Sequence, residues 1–411
     1  MLNRHWQHLI NNKIQEESRC CLMEQFLEQY SVERRHSLSL KWDKLDERFG
    51  DANLLPLWVA DMDFKVSAAI SEALTERVQH GVYGYSYVSQ NYICAFKQWM
   101  SERFDVNIQK DWLRYTPGVV QALYHVIHAF THEDDAIMIF PPVYYPFFNA
   151  IRDTKRQLVT VNLIESEATF HLDFDKIEAE IENQAVKMII HCSPHNPAGR
   201  VWTVDEQIRL LDICQKHGVI LISDEIHQDF VFGEHKQQAM LAVKHDYVQQ
   251  GVVALTSASK SFNLAGLTHS IVMIPNADLR EQYDCHLNYV GQSEVNIMGA
   301  IATQAAYEKG TEWLAQVLTV IEHNYRYIQA ELKRALPEVK VFELQGTYLL
   351  LLDLNPILKG RDCKTYIQDQ CGLAIDFGEW FGEEYTGYIR LNLATHPQNI
   401  EHAIKKMIEN A

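Results

Sequence analysis

Three short apolar runs, Val186 to Ile190, Val219 to Ile222 and Val252 to Leu255, each give way at once to polar residues. Runs of this length, separated by stretches of helical length, predict buried strands joined by crossover helices. Between the first two, Asp205 to Lys216 places Ile208, Leu211 and Ile213 at helical spacing and supplies such a crossover. Further on, Thr311 to Leu336 is rich in helix formers and sets Leu314, Val317, Ile321, Ile328 and Leu332 near one stripe. At about 1.5 Å rise per residue this helix would be roughly 39 Å long, enough to bridge two domains. The tail alternates again, with strands expected around Thr347 to Leu352 and Tyr388 to Leu393, and reads as a smaller α+β unit. The whole predicts an α/β protein with a mostly parallel central sheet. Residues 1–37 show only a weak amphipathic run from Cys21 to Tyr30 and are expected to pack on the surface as an extension.

A chain of 411 residues is too long for one ordinary core, so two domains are expected. The 37 basic and 54 acidic side chains leave a net charge of −17, which repels nucleic-acid backbones and anionic membranes in the absence of a basic patch. Arg34 and Arg35, beside His36, are the nearest approach to one and read as a solvated entry segment. Eight cysteines without a CxxC pair suggest neither a zinc knuckle nor a disulfide framework. Reduced thiols, together with an N-terminal region broken by Arg4, Lys13, Glu16, Glu17 and Arg19, lead to the expectation of a cytoplasmic protein.

The chemistry gathers at the ends of the three apolar runs, where open α/β sheets bind ligands. The run Val252 to Leu255 leads into TSASKSFN, which sets Lys260 among small hydroxylated residues. The middle run leads into SDEIHQDF, with Asp224 directly after it, and the first into HCSPHNPAG, with Asn196 before a proline and Gly199 at the exit. Taken singly, these read as a surface lysine, a helix-capping acid and a common turn. Together they sit at spacings of one crossover each, 28 residues (224−196) and 36 residues (260−224). A desolvated Asp224 would want a cationic partner, such as the pyridinium nitrogen of pyridoxal 5′-phosphate (PLP). At about 4 Å and an effective dielectric near 20 that attraction is roughly 4 kcal/mol. No GxGxxG or GxxxxGK[ST] is present. His191, Cys192 and His195 could be imagined as zinc ligands but read better as packing and turn chemistry, so no metal is expected.

In this order, NPxG, DEIHxDF and SxSKSFNLAG resemble the fold-type I PLP enzymes, the aspartate aminotransferase superfamily. More narrowly, LPLWVADMDF, YGYS, TPGVVQAL, PPVYYPF, SDEIHQDF, SKSFNLAGL and GTYLLLLDL resemble the MalY/PatB-type cystathionine β-lyases, or cysteine-S-conjugate β-lyases, over about residues 39 to 400. The resemblance implies an aminotransferase-like fold. Residues 76–310 would form the large PLP-binding domain, and 38–75 with 311–411 the small one.

It further implies that Lys260 holds PLP as a Schiff base and shuttles protons, and that Asp224 faces the ring nitrogen. Asn196 and His227 would bracket the phenolic oxygen, and Tyr144 would stack on the ring, with Tyr145 leaving that assignment ambiguous by one residue. Gly118 would open a helix whose Val119 and Val120 amides hold the phosphate, joined by Ser257 and Ser259. Tyr85 would reach the phosphate of the other subunit of a homodimer; an aromatic core cluster is the competing reading for Tyr83 and Tyr85. Arg390 would grip the substrate carboxylate, with Ala60 and Asn196 nearby. Thr268 stands where general aminotransferases usually carry an arginine, which favours the β-lyase subgroup. The implied reaction cleaves L-cystathionine or a related conjugate to a thiol, pyruvate and ammonia. The alternatives are an aminotransferase exchanging an amino group between an amino acid and a 2-oxoacid, and a PLP-fold regulator acting by protein contact.

Overall fold

The computed structural model describes residues 21–292 and 294–411. Its centre is a seven-stranded sheet of β1 (Leu113–Thr116), β2 (Ala136–Ile139), β3 (Gln157–Thr160), β4 (Met188–Cys192), β5 (Ile220–Asp224), β6 (Val252–Thr256) and β7 (Ser270–Met273), in the order β1-β7-β6-β5-β4-β2-β3. The pairs from β6 through β3 are parallel, and β7 runs antiparallel to both of its neighbours. Every residue of β2, β4 and β6 is buried. A parallel sheet covered by helices on both faces needs such unbroken apolar runs.

The crossover between β4 and β5 is the helix Val204–His217, started by a reciprocal capping box between Thr203 and Glu206 and ended by left-handed Gly218. Strands β4 and β5 run two residues past the apolar runs that predict them. There the ladder continues through polar side chains, pairing His191 with Ser223 and Cys192 with Asp224. Hydropathy ends before the hydrogen bonding does, so Asp224 is the last residue of its strand rather than the first of a loop.

The C-terminal unit is a four-stranded antiparallel sheet, ordered Lys340–Val341, Leu349–Asp353, Tyr388–Asn392 and Asp376–Phe377. Against it pack the helices Thr311–Ala335 and Pro397–Glu409; the five apolar residues expected to form the stripe of the first are all buried. Leu55–Pro56 pairs in parallel with Leu373–Ala374 and ties the early chain to this unit.

Residues 1–20 of the expected surface extension lie outside the described residues; from residue 21 on, the chain is not confined to the surface. Residues 21–30 are helical, and Phe26, only 1% exposed, packs against Phe64 and Trp313 in the main core. Arg34 is not a solvated charge, because it pairs with Asp61 at 2.8 Å and Asp63 at 3.0 Å. Lys41, fully buried, donates to the same Asp63 at 2.8 Å. Arg34 still faces Asp63 when Lys41 is removed, so Lys41→Met is expected to cost about 1.5–3 kcal/mol of folding stability, the loss of one charge-assisted hydrogen bond, read by urea denaturation.

Candidate functional site

Strands β4, β5 and β6 end side by side, with Cys192 opposite Asp224 and Asp224 opposite Leu255, so three loops leave the sheet next to one another. The first loop carries Asn196, 3% exposed. It closes through Gly199 at φ +64°, where an added Cβ would lie 3.2 Å from the Glu343 carbonyl oxygen. Asp224 ends the second strand, 4% exposed, with Oδ1 accepting the Ile226 N–H at 3.1 Å. Burial pushes its carboxyl up to about 7, against that hydrogen bond and the attraction of Lys260. His227 follows, with Nδ1 buried and without a hydrogen-bond partner among the described residues. Burial first, then Lys260 and Arg390, drive its pKa well below the ordinary range, so its imidazole is neutral.

The third loop opens with Ser257, whose hydroxyl caps the short helix Ala258–Ser261 by accepting from the Ser259 N–H at 3.0 Å and donates to the His269 carbonyl at 2.7 Å. That helix holds Lys260, whose Nζ donates to the Ala60 carbonyl at 2.7 Å. Burial is the largest influence on the amine and lowers it to about 8, with Arg390 lowering it further and Asp61 and Asp224 opposing. A fourth element arrives from below: the helix Val119–Phe130, whose N-cap Gly118 provides no side-chain acceptor for the first-turn amides. An uncapped helix start of this kind presents N–H groups and a positive dipole end to an anion.

These elements enclose a cavity of about 300 Å³. Ala60, Gly118, Val119, Val120, Tyr144, Asn196, Asp224, His227, Ser257, Ser259 and Lys260 all line it. Tyr144 stands on its wall, whereas the neighbouring Tyr145 turns toward Trp380 and Phe381, with ring centroids 6.3 and 6.4 Å away. Arg390 sits behind Asn196, donating from Nη1 to its Oδ1 at 2.8 Å and from Nη2 to the Trp58 carbonyl at 3.1 Å and to Asp376. Tyr85 is not brought to the cavity: it is 96% exposed in a segment without regular structure, and Tyr83 is likewise exposed, so neither belongs to an aromatic core.

Thr268, marked in the sequence by the missing arginine, also lines the cavity. Other contributors are not marked there: Gln121, His269 and Ser270 belong to the wall as well. Tyr348 donates its hydroxyl to the Ala60 carbonyl at 2.8 Å, the same oxygen that Lys260 uses. Asn263 bonds the Met62 N–H and the Met62 and Phe64 carbonyls, while Asn392 bonds the Val59 and Asp61 carbonyls. With Arg34 on Asp61 and Asp63, the stretch 59–64 is held from several sides against the lysine. Cys192 lines the cavity too, with its sulfur accepting from the Asn196 N–H at 3.5 Å.

Residues 53–407 match the family described as aminotransferase class I and II. The chain belongs to this family. It is 33% identical to the cystathionine beta-lyase PatB of Bacillus subtilis over 376 residues, 91% of this chain and 97% of that one. It is 34% identical to the protein MalY of Escherichia coli over 381 residues, 92% of this chain and 96% of that one. Among solved structures, cystalysin from Treponema denticola, which contains pyridoxal 5′-phosphate, superposes with a TM-score of 0.89 at 30% identity, covering 92% of this chain and 97% of its own. No helix among the described residues is long and apolar enough to cross a membrane.

Proposed function

We propose that this chain is a PLP-dependent carbon–sulfur β-lyase, cleaving L-cystathionine or a related cysteine S-conjugate to a thiol, pyruvate and ammonia. The observation that carries the reading is one cavity walled by an amide, a buried carboxylate, a neutral imidazole, a depressed-pKa amine and an uncapped helix start. Two of these groups stand out: Asp224 is a buried carboxylate, and His227 Nδ1 has no hydrogen-bond partner among the described residues. The set fits the pyridinium, phenolic oxygen, aldehyde and phosphate of PLP. The relatives PatB, MalY and cystalysin support the choice of cofactor and reaction.

Bound PLP would supply an electron sink for the pair released when a bond at the substrate's Cα breaks. Lys260 would hold the cofactor covalently through Nζ and, once displaced by the substrate's amine, take the proton from Cα. Asp224 would stay ionised against the ring nitrogen. Asn196 and His227 would donate to the phenolic oxygen, and Tyr144 would lie flat on the ring. The Val119 and Val120 amides would carry the phosphate with help from Ser259. Ser257 already spends its proton on the His269 carbonyl and so serves the loop more than the anion. Arg390 would pair with the substrate carboxylate beside Asn196 and Ala60. With that sink in place the Cβ–S bond would break, the thiolate leaving with the bonding pair as the Cα=Cβ bond forms, and the released three-carbon enamine would take up water to give pyruvate and ammonia.

We place the domain division at 38–75 with 311–411 for the small unit and 76–310 for the large one; the pairing of Leu55–Pro56 with Leu373–Ala374 supports it. The active assembly is proposed to be a homodimer, in which the exposed Tyr85 reaches the phosphate of the other copy. Cytoplasmic residence is proposed with it.

The test supplies PLP-loaded protein with L-cystathionine, and separately with an amino acid plus a 2-oxoacid. Pyruvate and thiol in equal amounts support the lyase; amino exchange without elimination selects the aminotransferase. Because the lysine's folded pKa is depressed to about 8, its uncharged form dominates above that pH and falls about tenfold per unit below it. Covalent capture of PLP by cofactor-free protein should therefore accelerate up to about pH 8 and then level, read by absorbance. Arg34 acts as a positioning residue for the 59–64 stretch. Arg34→Ala is expected to lower kcat/KM by about ten- to a hundredfold through misplacement of the loop, with Arg34→Lys restoring part of the loss.

A further inference from the structure

Asp376 lies directly across from Arg390 in the antiparallel register of the small sheet. Its carboxylate contacts Arg390 Nη2, and both side chains are 3% exposed. The guanidinium's other contacts are the Asn196 side chain and the Trp58 carbonyl, and its Nε has no partner. The groups facing Asp376 are Arg390 from its own sheet, Arg48 from the helix Leu45–Phe49, and the phenols Tyr144 and Tyr145 from the start of the helix Pro146–Asp153. Burial pushes both phenols up, so they stay neutral near pH 7. Asp376 is the carboxyl of this set. Burial drives its carboxyl up to about 6, opposed by Arg390 and Arg48.

Arg390 thus already has a full counter-ion before any substrate arrives. A second carboxylate entering this enclosed place would put two like charges on one guanidinium, an arrangement that raises the pKa of one of them. We propose that Asp376 is a displaceable counter-ion: the α-carboxylate of the incoming amino acid takes over Arg390, and Asp376 takes up one proton from solvent. Substrate carboxylate binding is then proton-coupled. This rests on the reading of Arg390 as the carboxylate grip. Below about pH 6 the carboxyl is already protonated and no proton is needed. Above it, each pH unit weakens carboxylate binding by about tenfold.

The test titrates the PLP-loaded full chain with 3-(methylthio)propanoate, a carboxylate without an amine of its own to titrate. Calorimetry at about pH 8 in two buffers of different ionisation enthalpy counts the protons exchanged. Wild type is expected to take up about one proton per probe bound, with Kd rising about tenfold per pH unit between about pH 7 and 8. Asp376→Asn is expected to take up none, to show a flat pH profile, and to bind about a hundredfold more tightly at about pH 8. Arg390→Ala is expected to lose the probe. Binding that needs Arg390 but exchanges no proton in wild type overturns the counter-ion role while leaving the carboxylate grip intact. Binding that survives Arg390→Ala overturns both. The wild-type proton count decides the matter even if the Asp376 variant does not fold.

Discussion

Lys260→Ala is expected to reduce pyruvate release from L-cystathionine by about four orders of magnitude or more, because one change removes both the covalent hold on PLP and the base at Cα. The structure explains why no neighbour can substitute. The amine is the cationic group that lines the cavity with its Nζ turned to the Ala60 carbonyl, and the nearby imidazole of His227 is held neutral by burial. The variant should keep its fold, since Lys260 is in no ion pair among the described residues and a short alanine side chain suits the helix Ala258–Ser261. Steady-state pyruvate assay with a matched melting curve checks this, and added methylamine should restore a fraction of the rate by standing in for the missing base.

Asp224→Asn is expected to lower kcat by about a thousandfold while leaving PLP attached to Lys260. A carboxylate facing a cationic ring nitrogen at about 4 Å contributes roughly 4 kcal/mol at an effective dielectric near 20, and that energy separates a protonated ring from a neutral one. Asn fills the same space and, through its side-chain carbonyl, can still accept the Ile226 N–H that Asp224 now accepts at 3.1 Å. The loss would then be electrostatic rather than structural. Single-turnover elimination, followed with cofactor absorbance on the same sample, separates retained cofactor from lost chemistry. A comparable fall in PLP content would assign the effect to binding instead.

The sheet and the centre of the site are legible in the sequence for a common reason. Parallel strands buried on both faces must be continuous apolar runs, and their carboxyl ends must carry whatever meets a ligand. Asn196, Asp224 and Lys260 announce themselves by following such runs at crossover spacing. What stayed hidden depends on contacts that leave no periodic trace. The clasp of Arg34 on Asp61 and Asp63 joins residues 27 and 29 positions apart through an irregular loop. The opposition of Asp376 to Arg390 is set by a strand of two residues, too short for any alternation to show. Phe26 enters the core from a helix whose amphipathic pattern is weak, because Leu22 on the same segment remains exposed. Tyr85 is the opposite case: family resemblance gives it a role, while within one chain it faces solvent.

Every proposed role in the cavity depends on Lys260 being the amine that captures the cofactor. Incubating the chain with PLP, reducing with borohydride and mapping the labelled peptide by mass spectrometry tests this most directly. One phosphopyridoxyl group per chain is expected, on the peptide containing Ser259–Lys260–Ser261 and absent from Lys260→Ala. Label spread over surface lysines such as Lys155 and Lys216, unchanged by that substitution, would contradict it.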